Sequence, residues 1–306
     1  MTRQTTRSMP LARYAAMTLA LLPVAVLEAQ PPETVEANEI IVTGERDGEK
    51  TIHDFIDTVT IETSDQMATF RADVCPAGFG LPAAYNDIVI SRIREVAKQA
   101  DIPVAAPDCD PNLVVIIADD GREFFDAFRK DRPTLFHALE LSEIRDVRKS
   151  EGPVRAWQIV ELRGSDGRKP RRIGFISIPG DPPRHVVNGH ELTGVLPSRI
   201  LKSTRRDLAI SFVVFDLAAT EGLTLTQIAD HAAMRALART KGASLAAPTI
   251  LALFEEGGYR ADGLTTWDAA YLKSLYATSN TVSASQQQSN MARLIGEQLK
   301  GPASAD

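Results

Sequence analysis

The chain has 306 residues, of which 44% are hydrophobic and 24% charged, with two cysteines and a formal net charge of −6. The length suffices for one large domain or two small ones. The acidic balance excludes a default nucleic-acid binder, and no stretch after the first 29 residues is long and apolar enough to span a membrane.

Residues 1–29 have the layout of a secretory signal peptide. Three arginines precede the apolar run Ala15–Leu27, and the small residue Ala29 stands at the expected cleavage point. The run is too short to cross a bilayer, although an uncleaved anchor is the alternative. Cleavage after Ala29 would raise the negative charge to −8, because this segment carries three arginines and one glutamate. We expect a periplasmic or secreted protein of a Gram-negative envelope without a membrane span.

Residues 30–50 are polar and lack a helical period, which predicts a flexible segment. The residues Ile40, Ile41, Val42 and Thr43 in its centre resemble the TonB box of outer-membrane receptors. The resemblance implies that this segment adds as a strand to the periplasmic domain of TonB. Too little chain follows for a plug and a large barrel, so an accessory protein that docks on TonB is the hypothesis. A disordered or edge strand is the alternative.

A single domain is predicted for residues 51–277. Residues 54–70 fit a short strand or a helix. A helix is predicted for residues 85–99, with Ile88, Ile93 and Val96 on its apolar side, and a strand follows over residues 113–118.

Cys75 and Cys109 lie in proline-rich turns on either side of this predicted helix. In an exported chain such a pair favours a structural disulfide over a catalytic thiol. Its closed loop would stabilise the fold by about 3–4 kcal/mol on the chain-entropy argument.

The middle of the chain is predicted to be β. The strands 154–162 and 172–178 are expected to pair as a hairpin around the basic residues 163–171, which could meet an anionic surface or form a solvated loop. Before them, Asp119–Gly121 reads as a turn with two carboxylates, and His137 falls on an aromatic helical face that predicts a core position.

The helix that begins at Thr224 carries the histidine with the best claim to chemistry, His231. It follows the apolar strand 208–215, and Thr224 with Gln227 has the spacing of a capping box. Residues 228–235 resemble the zinc helix of zincin metallopeptidases, but only His231 matches the motif. Ala232 replaces the glutamate and Arg235 the second histidine.

One histidine cannot hold catalytic zinc, which takes about three protein ligands. Zinc is therefore expected only if His185, His190 and Glu191 in the preceding loop join His231 as ligands, with His231 or Glu191 as the catalytic group. The alternative is a helix-flank histidine bonded to a neighbouring backbone group or carboxylate.

Further helices are predicted after His231. One begins at Thr265 with a Trp267, Tyr271 and Leu275 packing stripe, and residues 278–306 form a linker and a last helix over 291–299. We therefore predict an α+β fold with a disulfide-linked helix–strand unit, a central mixed sheet with a hairpin, and a C-terminal bundle of helices.

The whole chain also resembles uncharacterised secreted proteins of Gram-negative bacteria. The likeness lies in residues 75–112, 227–235 and 264–271, and it implies no reaction. Since no nucleophile–base pair, phosphate loop or complete metal spacing is present, the favoured function is a non-enzymatic domain that binds a protein or envelope component without a cofactor. The alternatives are a divergent zinc hydrolase and a TonB-linked accessory protein.

Overall fold

The computed structural model describes residues 45–61, 65–173, 189–191, 201–242 and 248–300. Seven α-helices and seven strands follow one another in this part of the chain. In order they are α1 (Glu45–Val59), β1 (Thr69–Phe70), β2 (Pro76–Phe79), α2 (Ala83–Gln99), β3 (Leu113–Ala118), α3 (Gly121–Asp131), α4 (Leu141–Lys149), β4 (Val154–Gly164), β5 (Arg171–Ile173), β6 (Gly189–Glu191), β7 (Thr204–Asp216), α5 (Leu225–Leu237), α6 (Thr266–Ala277) and α7 (Ala284–Leu299).

The central sheet is organised around β7, its longest strand. One edge of β7 pairs in parallel with β1 and then with β3, and β2 adds in parallel beyond β3. The other edge pairs antiparallel with β4. The sheet is therefore mixed, and the carboxyl ends of β2, β3 and β7 lie at one side of it.

Side chains of the central strands alternate between two apolar cores. On β3, Leu113, Val115 and Ile117 face a core built with α1, α2, α5, α6 and α7. Ile116 faces the second core, which is built with α3 and α4. The alternation follows from the two-residue period of a strand, and it gives a sheet covered by helices on both faces.

The mixed sheet, the α+β class and the C-terminal bundle are confirmed, but the predicted hairpin partner was wrong. β4 pairs with β7 along its whole length, and the short β5 pairs with β6. Turn residues show where a strand ends but not which strand it joins. β7 is a central strand that can pair on both edges, and β4 pairs with the edge that β1 and β3 leave open.

The disulfide-linked helix–strand unit is also confirmed. Cys75 and Cys109 are joined with a sulfur–sulfur distance of 1.99 Å. The bond connects the residue before β2 to the segment before β3, and α2 lies between them. It therefore holds the two parallel strands that begin beside it.

Three helical predictions differ from the structure. α1 begins at Glu45, inside the segment expected to lack a helix, and α7 begins at Ala284, inside the expected linker. Their apolar faces pack on each other and on α6, which supplies the order that local sequence did not signal. On α2, Ile93 and Val96 are buried as predicted, whereas Ile88 is exposed and Val89 takes the inner position.

Candidate functional site

The helix α5 carries His231 and is almost wholly buried. The Thr224 hydroxyl accepts the Gln227 N–H at 3.1 Å, and the Gln227 side-chain oxygen accepts the Thr224 N–H at 3.0 Å, which confirms the capping box. From Ile228 to Leu237 every residue except Arg235 is buried. Strands β4 and β7 pack against this helix together with α2 and α6, so its environment is that of a core helix.

His231 is 3% exposed and lies between two phenyl rings. Its ring is edge-on to Phe215 at 5.6 Å and to Phe254 at 5.0 Å between centroids. Its Nδ1 atom has no hydrogen-bond partner in the described structure, so the predicted bond to a backbone group or carboxylate is not found there. Burial, followed by the charge of Arg235, lowers the pKa of His231 to about 3. The imidazole is therefore neutral at pH 7.

The other predicted metal ligands cannot be placed beside His231. His185 lies outside the described residues, and only the backbone of His190 and Glu191 is described, in β6. Among the described side chains no three histidine, cysteine, aspartate or glutamate residues converge on a possible metal position. Zinc at His231 stays a prediction.

Asp230, the neighbour of His231, makes a bidentate ion pair with Arg92 on α2. Its carboxylate is fully buried and accepts the Arg92 Nε–H at 2.7 Å and the Arg92 Nη2–H at 2.9 Å. It also accepts the Leu264 N–H at 2.6 Å. These bonds join α2, α5 and the segment before α6, so Asp230 fixes the packing around the helix.

The carboxyl ends of the parallel strands are closed by the protein's own carboxylates. Asp216 at the end of β7 accepts the Gly121 N–H at 2.7 Å and an N–H of the buried Arg155 at 3.2 Å. Asp120 accepts the next two amide groups of α3, which belong to Arg122 and Glu123. The hydrogen bond from Glu123 is the first cause of a lowered pKa of Asp120.

This edge is where α/β folds commonly bind anions at a helix N-terminus. Here the amide groups are already paired. A Cβ atom on residue 121 would lie 2.7 Å from the Asp216 carboxylate, so the close approach requires Gly121. The residues Asp119–Gly121, interpreted from the sequence as a turn, therefore lead directly into α3, and Asp120 caps the start of that helix.

Among the basic residues 163–171, the described side-chain cations have acidic partners. Arg163 contacts Glu161, Lys169 Nζ lies 3.2 Å from the same carboxylate, and Arg168 lies 3.6 Å from Asp166. These pairs reduce the charge available to an anionic surface.

A groove of about 590 Å³ lies between α3 and α4 among the described residues. Its volume falls within the range of about 300–1,000 Å³ common for ligand sites. Its buried apolar residues are called the floor, the exposed Leu141 at the start of α4 is called the lip, and the polar residues on α3 and in the following turn are called the rim. The lining residues are Asp126, Arg129, Lys130, Pro133, Phe136, His137, Leu139, Leu141 and Ile144.

The floor and rim of this groove differ sharply in burial. Phe136, Leu139 and Ile144 are buried, whereas Leu141 on the lip is 84% exposed. Covering the exposed Leu141 side chain would remove its apolar area from water.

The rim carries cations without acidic partners. Arg129 and Lys130 are exposed, and no carboxylate of the described residues lies within ion-pair distance of either. Asp126 is held by Arg148 at 2.9 Å. The rim is therefore basic on a chain whose net charge is −6.

Sequence reasoning missed this groove because it continued one helical pattern through His137, although α3 ends at Asp131. The prediction of a core position for His137 was wrong, since His137 is exposed on the groove rim. Pro133 follows the end of α3, and the chain makes a short 3-10 turn over Pro133–Phe136. Pro133 and the lone Leu141 before a charged run were the available signals.

Several predicted segments lie outside the described residues. They are the signal peptide over residues 1–29 and the TonB-box-like residues 40–43. Export, TonB docking and the resemblances to secreted proteins and zincins stay predictions.

No helix among the described residues combines the length and apolarity needed to cross a membrane. In comparisons with known proteins, no family model matches the chain, and no curated protein and no solved structure is significantly similar to it.

Proposed function

We propose that this chain is a non-enzymatic binding protein and that the groove between α3 and α4 is its ligand site. The observation that carries the proposal is the combination of a buried apolar floor with the unpaired cations Arg129 and Lys130 on the rim, as found among the described residues. Apolar area gives such a site its affinity, and a few polar groups orient the ligand. The ligand class is a molecule with an apolar body and a negative charge.

Contacts that connect α3 and α4 to each other and to the second core support this proposal. The Arg148 guanidinium on α4 binds Asp126 on α3, and Glu143 on α4 accepts an N–H of Arg239 at 2.6 Å. Phe136 packs edge-on to Phe125 and stacks on Trp157 in the second core. A groove held open before binding spends little free energy on ordering when a ligand arrives.

The other two candidate sites, His231 and the start of α3, are less open to a ligand than the groove. His231 is buried in contact with two phenyl rings, and the amide groups at the start of α3 are paired with Asp120 and Asp216. The groove is open, whereas a reacting molecule would have to displace protein groups at either of those sites.

The anionic dye 1-anilinonaphthalene-8-sulfonate tests the proposal because it combines an aromatic body with one negative charge. We expect the folded protein at pH 7 to bind one dye molecule saturably, with a rise in dye fluorescence. Leu141→Asp should weaken this binding at least tenfold, because it places a carboxylate on the apolar lip beside the dye.

Phe79→Asp is the matched control, since Phe79 is exposed at the end of β2 and does not line the groove. This variant should bind the dye like the original chain. Absence of saturable binding, or equal binding by the Leu141→Asp variant, would refute the groove as the ligand site.

A further inference from the structure

The two sulfur atoms of the disulfide between Cys75 and Cys109 lie in different surroundings. Cys75 is 3% exposed and stands directly before β2. Cys109 is half-buried in the turn that leads to β3, and its neighbours Asp108 and Asp110 are exposed. A nucleophile that arrives from solution therefore has better access to the Cys109 sulfur. Access is one of the factors that decide which sulfur is attacked in thiol–disulfide exchange.

A guanidinium group accompanies the more accessible sulfur. Arg94 Nη2 on α2 lies 3.6 Å from Cys109 Sγ, and Arg94 Nη1 donates to the Ala105 carbonyl oxygen at 2.5 Å. The second bond ties the guanidinium to the segment that carries Cys109. Positive charge beside a sulfur favours the thiolate, which is the reactive form of a cysteine. Asp108 and Asp110 oppose this effect only weakly, because water and salt screen exposed charges.

The backbone of Cys75 is fixed at the start of the sheet. Its N–H donates to Asn112 Oδ1 at 2.8 Å, and its carbonyl oxygen accepts the N–H groups of Asn112 and Leu113 at 3.0 and 3.2 Å. These bonds do not depend on the disulfide. The Cys75 sulfur therefore stays beside the turn that carries Cys109 when the bond between the two cysteines opens.

We propose that this disulfide is a site of thiol–disulfide exchange in which Cys109 reacts with a dithiol partner and Cys75 is the resolving residue. Exposure selects Cys109 as the sulfur that is attacked. The Arg94 guanidinium attracts the incoming thiolate and stabilises the Cys109 thiolate when that group is released. The role is separate from binding in the groove, because α2 packs in the first core and the groove lies against the second.

The exchange is balanced within the two reacting molecules. A thiolate of the dithiol attacks Cys109 Sγ and forms a mixed disulfide, and Cys75 leaves as a thiolate that takes a proton from water. The second thiolate of the dithiol then attacks the sulfur of its own molecule, and Cys109 leaves as a thiolate beside Arg94. The dithiol gives up two electrons and becomes a disulfide, and the two cysteines of the protein are reduced. Reoxidation runs through the same steps in reverse.

Sulfite tests which sulfur is attacked, because it displaces one sulfur of a disulfide in the same way and leaves a stable S-sulfonate on the sulfur that it attacks. The oxidised full chain is treated with sulfite without denaturant, and peptide mass spectrometry locates the product early in the reaction. We expect the S-sulfonate at Cys109 at least tenfold more often than at Cys75. In urea the two sites should react to a similar extent, because both are then exposed. No reaction of the folded chain, equal products at both sites, or a preference for Cys75 would overturn the proposal.

Variants of Arg94 test the part assigned to its charge. Arg94→Gln should slow the reaction of the folded chain with sulfite at least threefold, whereas Arg94→Lys should keep most of the rate because it keeps the charge. Arg145→Gln is the matched control, since it removes an exposed cation from α4, on the opposite face of the sheet. Its rate should equal that of the original chain. An unchanged rate in Arg94→Gln, or an equal loss in Arg94→Lys, would refute the role of this guanidinium.

Discussion

Replacing Asp230 by alanine should lower the free energy of unfolding by about 3–4 kcal/mol. The change removes a bidentate, charge-assisted partner from Arg92 and leaves the Leu264 N–H without its acceptor. The Arg92 side chain is only 26% exposed, so water replaces the carboxylate incompletely. Urea unfolding followed by circular dichroism at pH 7 measures the effect.

Asp54→Ala is the matched control, because its partner Lys50 and Asp54 itself are both largely exposed. That change should cost less than about 1 kcal/mol. The double change Arg92→Met with Asp230→Ala should cost clearly less than the two single changes together, since neither charge is then left alone. A cost for Asp230→Ala as small as that for Asp54→Ala would contradict the buried ion pair.

Removing the imidazole of His231 should weaken the dependence of stability on pH. The ordinary pKa of 6.5 applies to the unfolded chain, whereas burial lowers the pKa in the folded chain to about 3. Between these values the unfolded chain binds more protons, so stability falls as the pH falls, by about 1.4 kcal/mol per pH unit. Above pH 6.5 the histidine is neutral in both the folded and the unfolded chain, so none of this stability is lost.

His231→Leu should therefore equal or exceed the original chain in stability at pH 7, because it also removes the unpaired Nδ1 atom. From pH 7 to pH 5 the original chain should lose about 2 kcal/mol more than this variant. Urea unfolding at both pH values gives the difference. Identical pH profiles would show that the imidazole is not held neutral.

The same two proteins test the zinc alternative. A metal that binds only the folded chain raises its unfolding temperature. A rise on adding zinc that disappears in His231→Leu would make His231 a ligand and would contradict the closed environment described for it.

Local patterns predicted the elements whose signals are local. Thr224 and Gln227 form the expected capping box, and Thr265 with Asp268 forms another, because each pair lies within a single helical turn. Trp267 and Tyr271 are buried on α6 as their spacing predicted. The pairing of Cys75 with Cys109 followed from their number and setting.

Features that depend on distant partners were not predictable in this way. The pairing of β4 with β7 joins strands far apart in sequence. The burial of His231 comes from Phe215 and Phe254, which approach from two other segments. A helical wheel places His231 on the flank of the helix beside Gln227 and Arg235, away from the centre of the apolar stripe, and it does not show that this side of the helix is covered too.

The groove escaped prediction for a related reason. Its floor comes from Phe136, Leu139 and Ile144, which span a turn and the start of a new helix. Only the angle between α3 and α4 brings them together, and no single period in the sequence carries that angle.

The most direct test of the binding site is a methyl-group NMR titration of the full chain with the anionic dye. Leucine and isoleucine methyl groups report contacts in the groove through Leu139, Leu141 and Ile144, and outside it through the exposed Ile88 and Leu217. We predict that the signals of the first three shift together and saturate, while those of Ile88 and Leu217 stay in place. Shifts confined to Ile88 or Leu217, with Leu141 unchanged, would contradict the account.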